Sequence, residues 1–129
     1  MPTRKRILFV DDEPSIRLTL SAILQDHGFE VRSAGSVPEA LAQITSQHFD
    51  VLLSDLNISE ERDGFRVVSA MRRVQPHCFN IILTGYPGFD SAVEAIRQQV
   101  DDYLVKPADI EVLITSLHDK FDEHSERTA

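Results

Sequence analysis

The chain predicts an α/β fold built on a doubly wound parallel sheet, and three observations predict it. Strand-like apolar runs alternate with helix-like periodic segments without an obvious break. Four of the runs end on polar residues with chemistry to offer: Ile7–Val10 into Asp11 and Asp12, Val51–Ser54 into Asp55, Ile81–Leu83 into Thr84, and Tyr103–Val105 into Lys106. The length of 129 residues and the 42% hydrophobic content suit one domain with one core.

The elements follow in order. Ile7–Val10 is the first strand. Pro14 suits the first turn of a helix whose face is marked by Ile16, Leu20, Ile23 and Leu24, and Gly28 offers its C-terminal stop. Glu30–Ala34 is a short second strand. Ser36 with Glu39 fits a capping box, Pro38 the first turn, and Leu41 and Ile44 the buried stripe of a second helix. The strand ending in Asp55 comes next, then a polar loop over Asn57–Asp63. Phe65, Val68 and Met71 mark a third helix that must end near Pro76. Asn80–Leu83 is apolar enough for a strand buried on both faces. Asp90 or Ser91 caps a fourth helix carrying Val93, Ile96 and Val100. Asp102–Val105 is the fifth strand, and Asp109 caps a last helix with Ile110, Leu113, Leu117 and Phe121 at helical spacing. The whole reads as a single domain over 1–129 with its core at about 4–121, Ser125–Ala129 a frayed tail, and 122–129 such a tail or the start of a linker.

Five strands alternating with five helices predict a parallel sheet covered on both faces and joined by right-handed crossovers. The small-domain order is 2-1-3-4-5, whose switch point lies between strands one and three. Those strands end in Asp11–Asp12 and Asp55. Ligands bind outside the carboxyl ends of such strands, so topology and the carboxylates point to the same place.

Composition excludes several function classes. A formal net charge of -8 argues against direct nucleic-acid binding by this segment. Cys78 is the only cysteine, so no internal disulfide can form, and a reducing, cytoplasmic setting is expected. Arg4–Lys5–Arg6 precedes too short an apolar run for a signal peptide, and no run could span a bilayer. The five histidines form no metal-like grouping, and Arg72–Arg73 reads as a solvated face. Neither a P-loop nor a Gly-x-Gly-x-x-Gly fingerprint is present.

Three carboxylates at one sheet edge repel one another, and a divalent cation resolves the conflict. Hard oxygen donors suit Mg2+, with Asp12 and Asp55 as direct ligands and Asp11 acting nearby or through water. A carboxylate beside such a metal can attack phosphorus to give an aspartyl phosphate, and Asp55 stands alone at the end of the central strand. Lys106 would offset charge on the transferring phosphoryl oxygens, and Thr84 could donate its hydroxyl to them.

The stretches Ile7–Pro14, Leu53–Leu56, Ile82–Gly85 and Asp102–Pro107 together resemble the receiver domain of two-component response regulators, in matching order from about Arg4 to Phe121. The resemblance implies a flavodoxin-like receiver fold. It implies that Asp55 is the phosphoacceptor, taking its phosphoryl group from a histidine of a sensor kinase or phosphotransfer protein. Asp11 and Asp12 become the acidic pair, and the backbone carbonyl of Asn57 a further Mg2+ ligand. Thr84 and Tyr103 match the switch pair, and Lys106 contacts the phosphoryl group ahead of a cis peptide bond to Pro107. The fourth helix, fifth strand and last helix would form the output face toward a downstream effector domain or protein, or toward a phosphorylation-dependent homodimer. Asn57 and Tyr86 would flank the water path and tune the phosphoryl lifetime.

The chain departs from the family pattern in three places. The loop Ile58–Gly64 is one residue longer than usual, Gln99–Val100 replaces a Gly-Ala pair and so lacks a glycine stop, and the last helix lacks the arginine pair of some dimerising subfamilies. Two alternative functions stand beside the first. A haloacid-dehalogenase-like phosphatase shares the aspartyl nucleophile, but its general acid two residues on is here Asn57, which cannot give up a proton at that step. A receiver-like interaction module that has lost phosphorylation should lack residues that are all present.

Overall fold

A computed structural model of the chain describes residues 4–85, 88–106 and 110–128. Its elements are β1 (Arg6–Val10), α1 (Pro14–Asp26), β2 (Glu30–Ala34), α2 (Val37–Ser46), β3 (Val51–Asp55), α3 (Asp63–Val74), β4 (Phe79–Thr84), α4 (Phe89–Arg97), β5 (Asp102–Val105) and α5 (Ile110–Thr128). The five strands form one parallel sheet in the order β2-β1-β3-β4-β5. The apolar runs form its centre because both faces are covered. On one face Leu8, Val10, Leu52 and Ile82 meet residues of α2, α3 and α4; on the other Ile7, Phe9, Leu53 and Leu83 meet Leu20 and Leu24 of α1 and Leu113 and Leu117 of α5. All twelve of these are at most 9% exposed, and most are fully buried.

Local signals end the helices as their chemistry dictates. Pro14 opens α1, and Gly28 takes φ 92° just past its end, where the Phe29 N–H donates to the Leu24 carbonyl at 3.2 Å. Ser36 caps α2 by accepting from the Glu39 N–H at 3.3 Å. Glu39 does not close the capping box on Ser36, however. Its carboxylate accepts from the Gly35 N–H at 2.7 Å, one residue upstream.

Several helix faces differ from the sequence reading. In α2 the buried pair is Ala40 and Ile44, while Leu41 is 36% exposed. In α4 the residues turned inward are Ser91 and Ala95; Val93 is half-buried, Ile96 is 76% exposed, and Val100 lies beyond the helix, packed against the core. Small residues let the helix backbone approach closely, so the largest apolar side chains do not mark the inner face. The N-cap of α4 is Gly88, and Ser91 works from the third helical position, accepting from the Gly88 N–H at 3.2 Å and donating to its carbonyl at 3.0 Å. Gln99 itself adopts the left-handed conformation (φ 58°) that the missing glycine would have supplied. Arg72 of α3 donates to its backbone carbonyl and to its side-chain oxygen, at 3.1 and 2.9 Å, so Arg72 is a clamp between α3 and the end of α4 rather than a purely solvated charge. β4 starts one residue early at Phe79, and α5 stays helical to Thr128, through positions read as a frayed tail. Asp109, the expected cap of α5, lies outside the described residues.

Candidate functional site

The parallel register carries Asp11, Asp55, Thr84 and Lys106 to one edge. Val10 pairs with Ser54, Asp55 with Leu83, and Thr84 with Val105, so each strand ends within a residue of its neighbour. A cleft of about 280 Å³ opens there, lined by Asp11, Asp12, Glu13, Ile16, Asp55, Asn57, Gly85 and Lys106. The structure thus brings together the acidic pair, Asp55, Asn57 and Lys106, which lie far apart in sequence.

Asp11 is buried and held at both carboxylate oxygens. Oδ1 accepts from the Glu13 N–H at 2.9 Å, and Oδ2 accepts from Lys106 Nζ at 3.0 Å. Asp12 is exposed. Lys106 Nζ also lies 3.4 Å from Asp55 Oδ2, so one ammonium spans two of the three carboxylates. One oxygen each from Asp11, Asp12 and Asp55 falls within 4.8 Å of the others, a spacing at which a single cation could touch all three. The donor set fits a hard divalent ion: it is all carboxylate, without thiolate or imidazole.

Burial pushes the Asp55 carboxyl above its ordinary range. Lys106 opposes that shift, and the charges of Asp11 and Asp12 reinforce it. For Lys106, burial favours the neutral amine, but the hydrogen bond to Asp11 and the charges of Asp55 and Asp11 outweigh it and hold the ammonium above its ordinary range. Cys78 is buried outside this cleft, and burial drives its thiol far above the usual value, so it is no nucleophile.

The loop after Asp55 closes through a left-handed residue. Arg62 takes the left-handed conformation (φ 65°), and its N–H donates to Asn57 Oδ1 at 2.8 Å. The Asn57 side-chain oxygen thus helps close the loop, while the residue also lines the cleft. Ile58 is buried, so the segment is not simply polar. Asp63 belongs to α3, where its carboxylate accepts from the Glu60 N–H at 3.0 Å. Gly64 then lies against β3: its N–H donates to the Leu56 carbonyl at 2.7 Å, and a Cβ there would collide with the Asp55 carbonyl oxygen and come within 2.9 Å of Leu56 Cα. The glycine fixes the backbone that carries Asp55, a steric role the sequence pattern does not reveal.

Thr84 is buried at the end of β4, and its carbonyl accepts from the Lys106 N–H at 2.7 Å. Tyr103 packs partly buried against the α2–α3–α4 side of the sheet, and its hydroxyl lies 2.8 Å from Ser91 Oγ. Ser91, considered from sequence only as a helix cap, thus also binds the tyrosine. No sequence spacing could have found that contact, because it joins residues on different elements. Pro107 and Tyr86, to which the cis bond and part of the water path were assigned, lie outside the described residues.

A parallel five-stranded sheet with acids at its switch point and a lysine across from them defines a class of signalling domain, and comparison with known proteins places the chain in it. The response regulator receiver domain family matches residues 7–118. The alginate biosynthesis transcriptional regulatory protein AlgB of Pseudomonas aeruginosa is 40% identical over 102 residues, covering 79% of this chain and 22% of AlgB. The regulatory protein AtoC of Escherichia coli is 36% identical over 113 residues, 88% of this chain and 24% of AtoC. A CheY-like receiver domain protein from Methanospirillum hungatei superposes with a TM-score of 0.90 at 29% identity, over 97% of this chain and 99% of that one. A Burkholderia pseudomallei response regulator, solved with a phosphorylated aspartic acid, a calcium ion and citrate, gives 0.82 at 29% identity over 95% of this chain and 72% of that one. The chain belongs to the response regulator receiver domains of two-component systems. It spans about a quarter of the length of the curated relatives it matches. Neither the phosphatase nor the unphosphorylated module is favoured by these relationships. Among the described residues no helix is long and apolar enough to cross a membrane.

Proposed function

We propose that Asp55 accepts a phosphoryl group from a histidine of a sensor kinase or phosphotransfer protein, in a Mg2+-dependent step in the cytoplasm. The observation that carries this reading is the position of Asp55 at the end of the central strand, with Lys106 Nζ 3.4 Å from its Oδ2 and the carboxylates of Asp11 and Asp12 around it. An Asp55 oxygen forms the new bond to phosphorus while the phosphorus–nitrogen bond to the donor imidazole breaks, the nitrogen keeping the electron pair and taking up a proton. Lys106 sits where the transferring oxygens gain charge, and its raised proton affinity keeps it charged at neutral pH. Asp11, Asp12, Asp55 and the Asn57 carbonyl would hold Mg2+, which supplies further stabilisation of phosphoryl charge when bound.

Thr84 and Tyr103 carry the change outward in this reading, the hydroxyl of Thr84 turning to the phosphoryl group and the ring of Tyr103 following. Exposed Ile96 on α4, Val105 on β5 and Val112 on α5 give the output face its apolar surface, for an effector domain or protein or for a phosphorylation-dependent homodimer. A full reversal of populations needs a bias of about 5.5 kcal/mol between the two states. The test is to incubate the protein with acetyl phosphate with and without Mg2+ and measure intact mass and elution volume. A metal-dependent phosphate adduct that is absent from Asp55→Asn supports the reading; no metal-dependent adduct overturns it. Turnover of many phosphoesters per chain would favour a phosphatase instead.

A further inference from the structure

Arg17 spends its charge in an unusual way. No carboxylate oxygen lies within 4.0 Å of its guanidinium nitrogens among the described residues. Its Nη1 instead donates at 2.7 Å to the backbone carbonyl of Asp11, the oxygen of the peptide group that joins Asp11 to Asp12. The guanidinium is seated on Gly35: a Cβ there would lie 2.7 Å from Nη1, 3.0 Å from Cζ and 3.3 Å from Nη2. Gly35 is fixed in turn, because its N–H donates to the Glu39 carboxylate at 2.7 Å, and the neighbouring Ala34 carbonyl accepts from the Asp11 N–H at 3.1 Å. The end of β2 and the first turn of α2 therefore hold a cation against the peptide on which Asp12 is mounted.

We infer that Arg17 is a positioning residue for the divalent cation: seated on Gly35, it fixes the Asp11–Asp12 peptide and so presents the exposed Asp12 carboxylate to the metal. The inference rests on reading the acidic cluster as a cation site. Asp11 needs little further help, since Lys106 and the Glu13 N–H already hold its carboxylate. Among the described residues no hydrogen bond or ion pair holds the Asp12 side chain, so its backbone is what aims it. Residues that orient metal ligands from behind typically change affinity by about 10–100-fold when removed.

The sign of the effect separates positioning from plain electrostatics. A guanidinium near the cluster repels a dication, so if charge alone mattered, Arg17→Ala would tighten Mg2+ binding. Positioning requires the opposite. Titration of the full chain with Mg2+ alone, followed by calorimetry, is expected to show Arg17→Ala binding about tenfold more weakly. Gly35→Ala keeps every charge but must push the guanidinium off its seat, at the cheap end of a flexible side chain, and is expected to weaken Mg2+ in the same direction. In the Arg17→Ala background Gly35→Ala should then add nothing, because its effect runs through the arginine. Unfolding midpoints in a chelator separate a merely structural role, which would shift the metal-free midpoint and leave affinity unchanged. Unchanged or tighter Mg2+ binding by Arg17→Ala overturns the inference alone; a wild-type chain that binds no Mg2+ overturns the reading of the cluster with it.

Discussion

Lys106 Nζ hydrogen-bonds Asp11 Oδ2 at 3.0 Å across 95 residues of sequence, and it reaches Asp55 Oδ2 from the same position. The first and last strands that contribute to the cleft are thereby tied through an ion pair whose acid is almost wholly buried. Removing one partner of such a pair leaves the other desolvated without compensation.

Lys106→Met is accordingly expected to destabilise the metal-free protein by about 1–3 kcal/mol at neutral pH, measured by urea unfolding in a chelator. The sign with pH is set by the raised proton affinity of Lys106 in the folded chain. Its contribution is complete below the ordinary lysine range and disappears as pH rises through the raised folded value. Wild type and variant should therefore converge in alkaline solution.

Asp55→Asn should act in the other direction. Burial, with Asp11 and Asp12 nearby, raises the Asp55 pKa against the opposing pull of Lys106, so its proton is bound more tightly in the folded chain than in the unfolded one. Ionisation then lowers stability: the penalty is absent below the ordinary carboxylate range, grows as pH rises through it and is complete above the raised folded value. The variant is expected to melt a few degrees above wild type at neutral pH without metal, with the difference vanishing in acid. Added Mg2+ should narrow the gap by stabilising wild type more than the variant.

Gly64→Ala tests the seat of the strand that ends in Asp55. The atoms its Cβ would meet are the backbone of Asp55 and Leu56, which cannot rotate away as a side chain could. Overpacking of this kind is typically worth about 1–3 kcal/mol of stability. A lower unfolding midpoint together with slower labelling by acetyl phosphate is expected. An unchanged midpoint would show that α3 can retreat without loss.

Ser91 and Tyr103 should behave as one unit. Their hydroxyls lie 2.8 Å apart, with Ser91 buried at the first turn of α4. Ser91→Ala and Tyr103→Phe are each expected to lower stability by about 1 kcal/mol, and the double variant by much less than the sum. Full additivity in thermal or urea unfolding would mean that the two hydroxyls do not share a bond in solution.

What could be seen in the sequence, and what could not, divides along physical lines. The strands were legible because runs such as Val51–Leu53 are apolar at consecutive positions, which only a sheet covered on both faces accommodates. Asp11, Asp12, Asp55 and Lys106 were legible because parallel strands deliver their carboxyl ends to one edge. Leu41 and Ile96 lie outward because α2 packs through Ala40 and Ile44 and α4 through Ser91 and Ala95, so bulk alone is a poor guide to the inner face. The loop from Asn57 to Gly64 closes through a left-handed Arg62 and the absence of a side chain at Gly64, neither of which has a periodic signature. Arg17 on Gly35 and Ser91 on Tyr103 join residues from separate elements, and sequence alone cannot show which side chains will meet.

Locating the phosphoryl group on the chain decides whether Asp55 receives it. Protein treated with acetyl phosphate and Mg2+ is reduced with borohydride, which converts an aspartyl phosphate to homoserine, and its peptides are sequenced by mass spectrometry. Homoserine at position 55, formed only when Mg2+ is present, is the expected result. Homoserine at Asp11 or Asp12, or none anywhere when the metal is supplied, would contradict it.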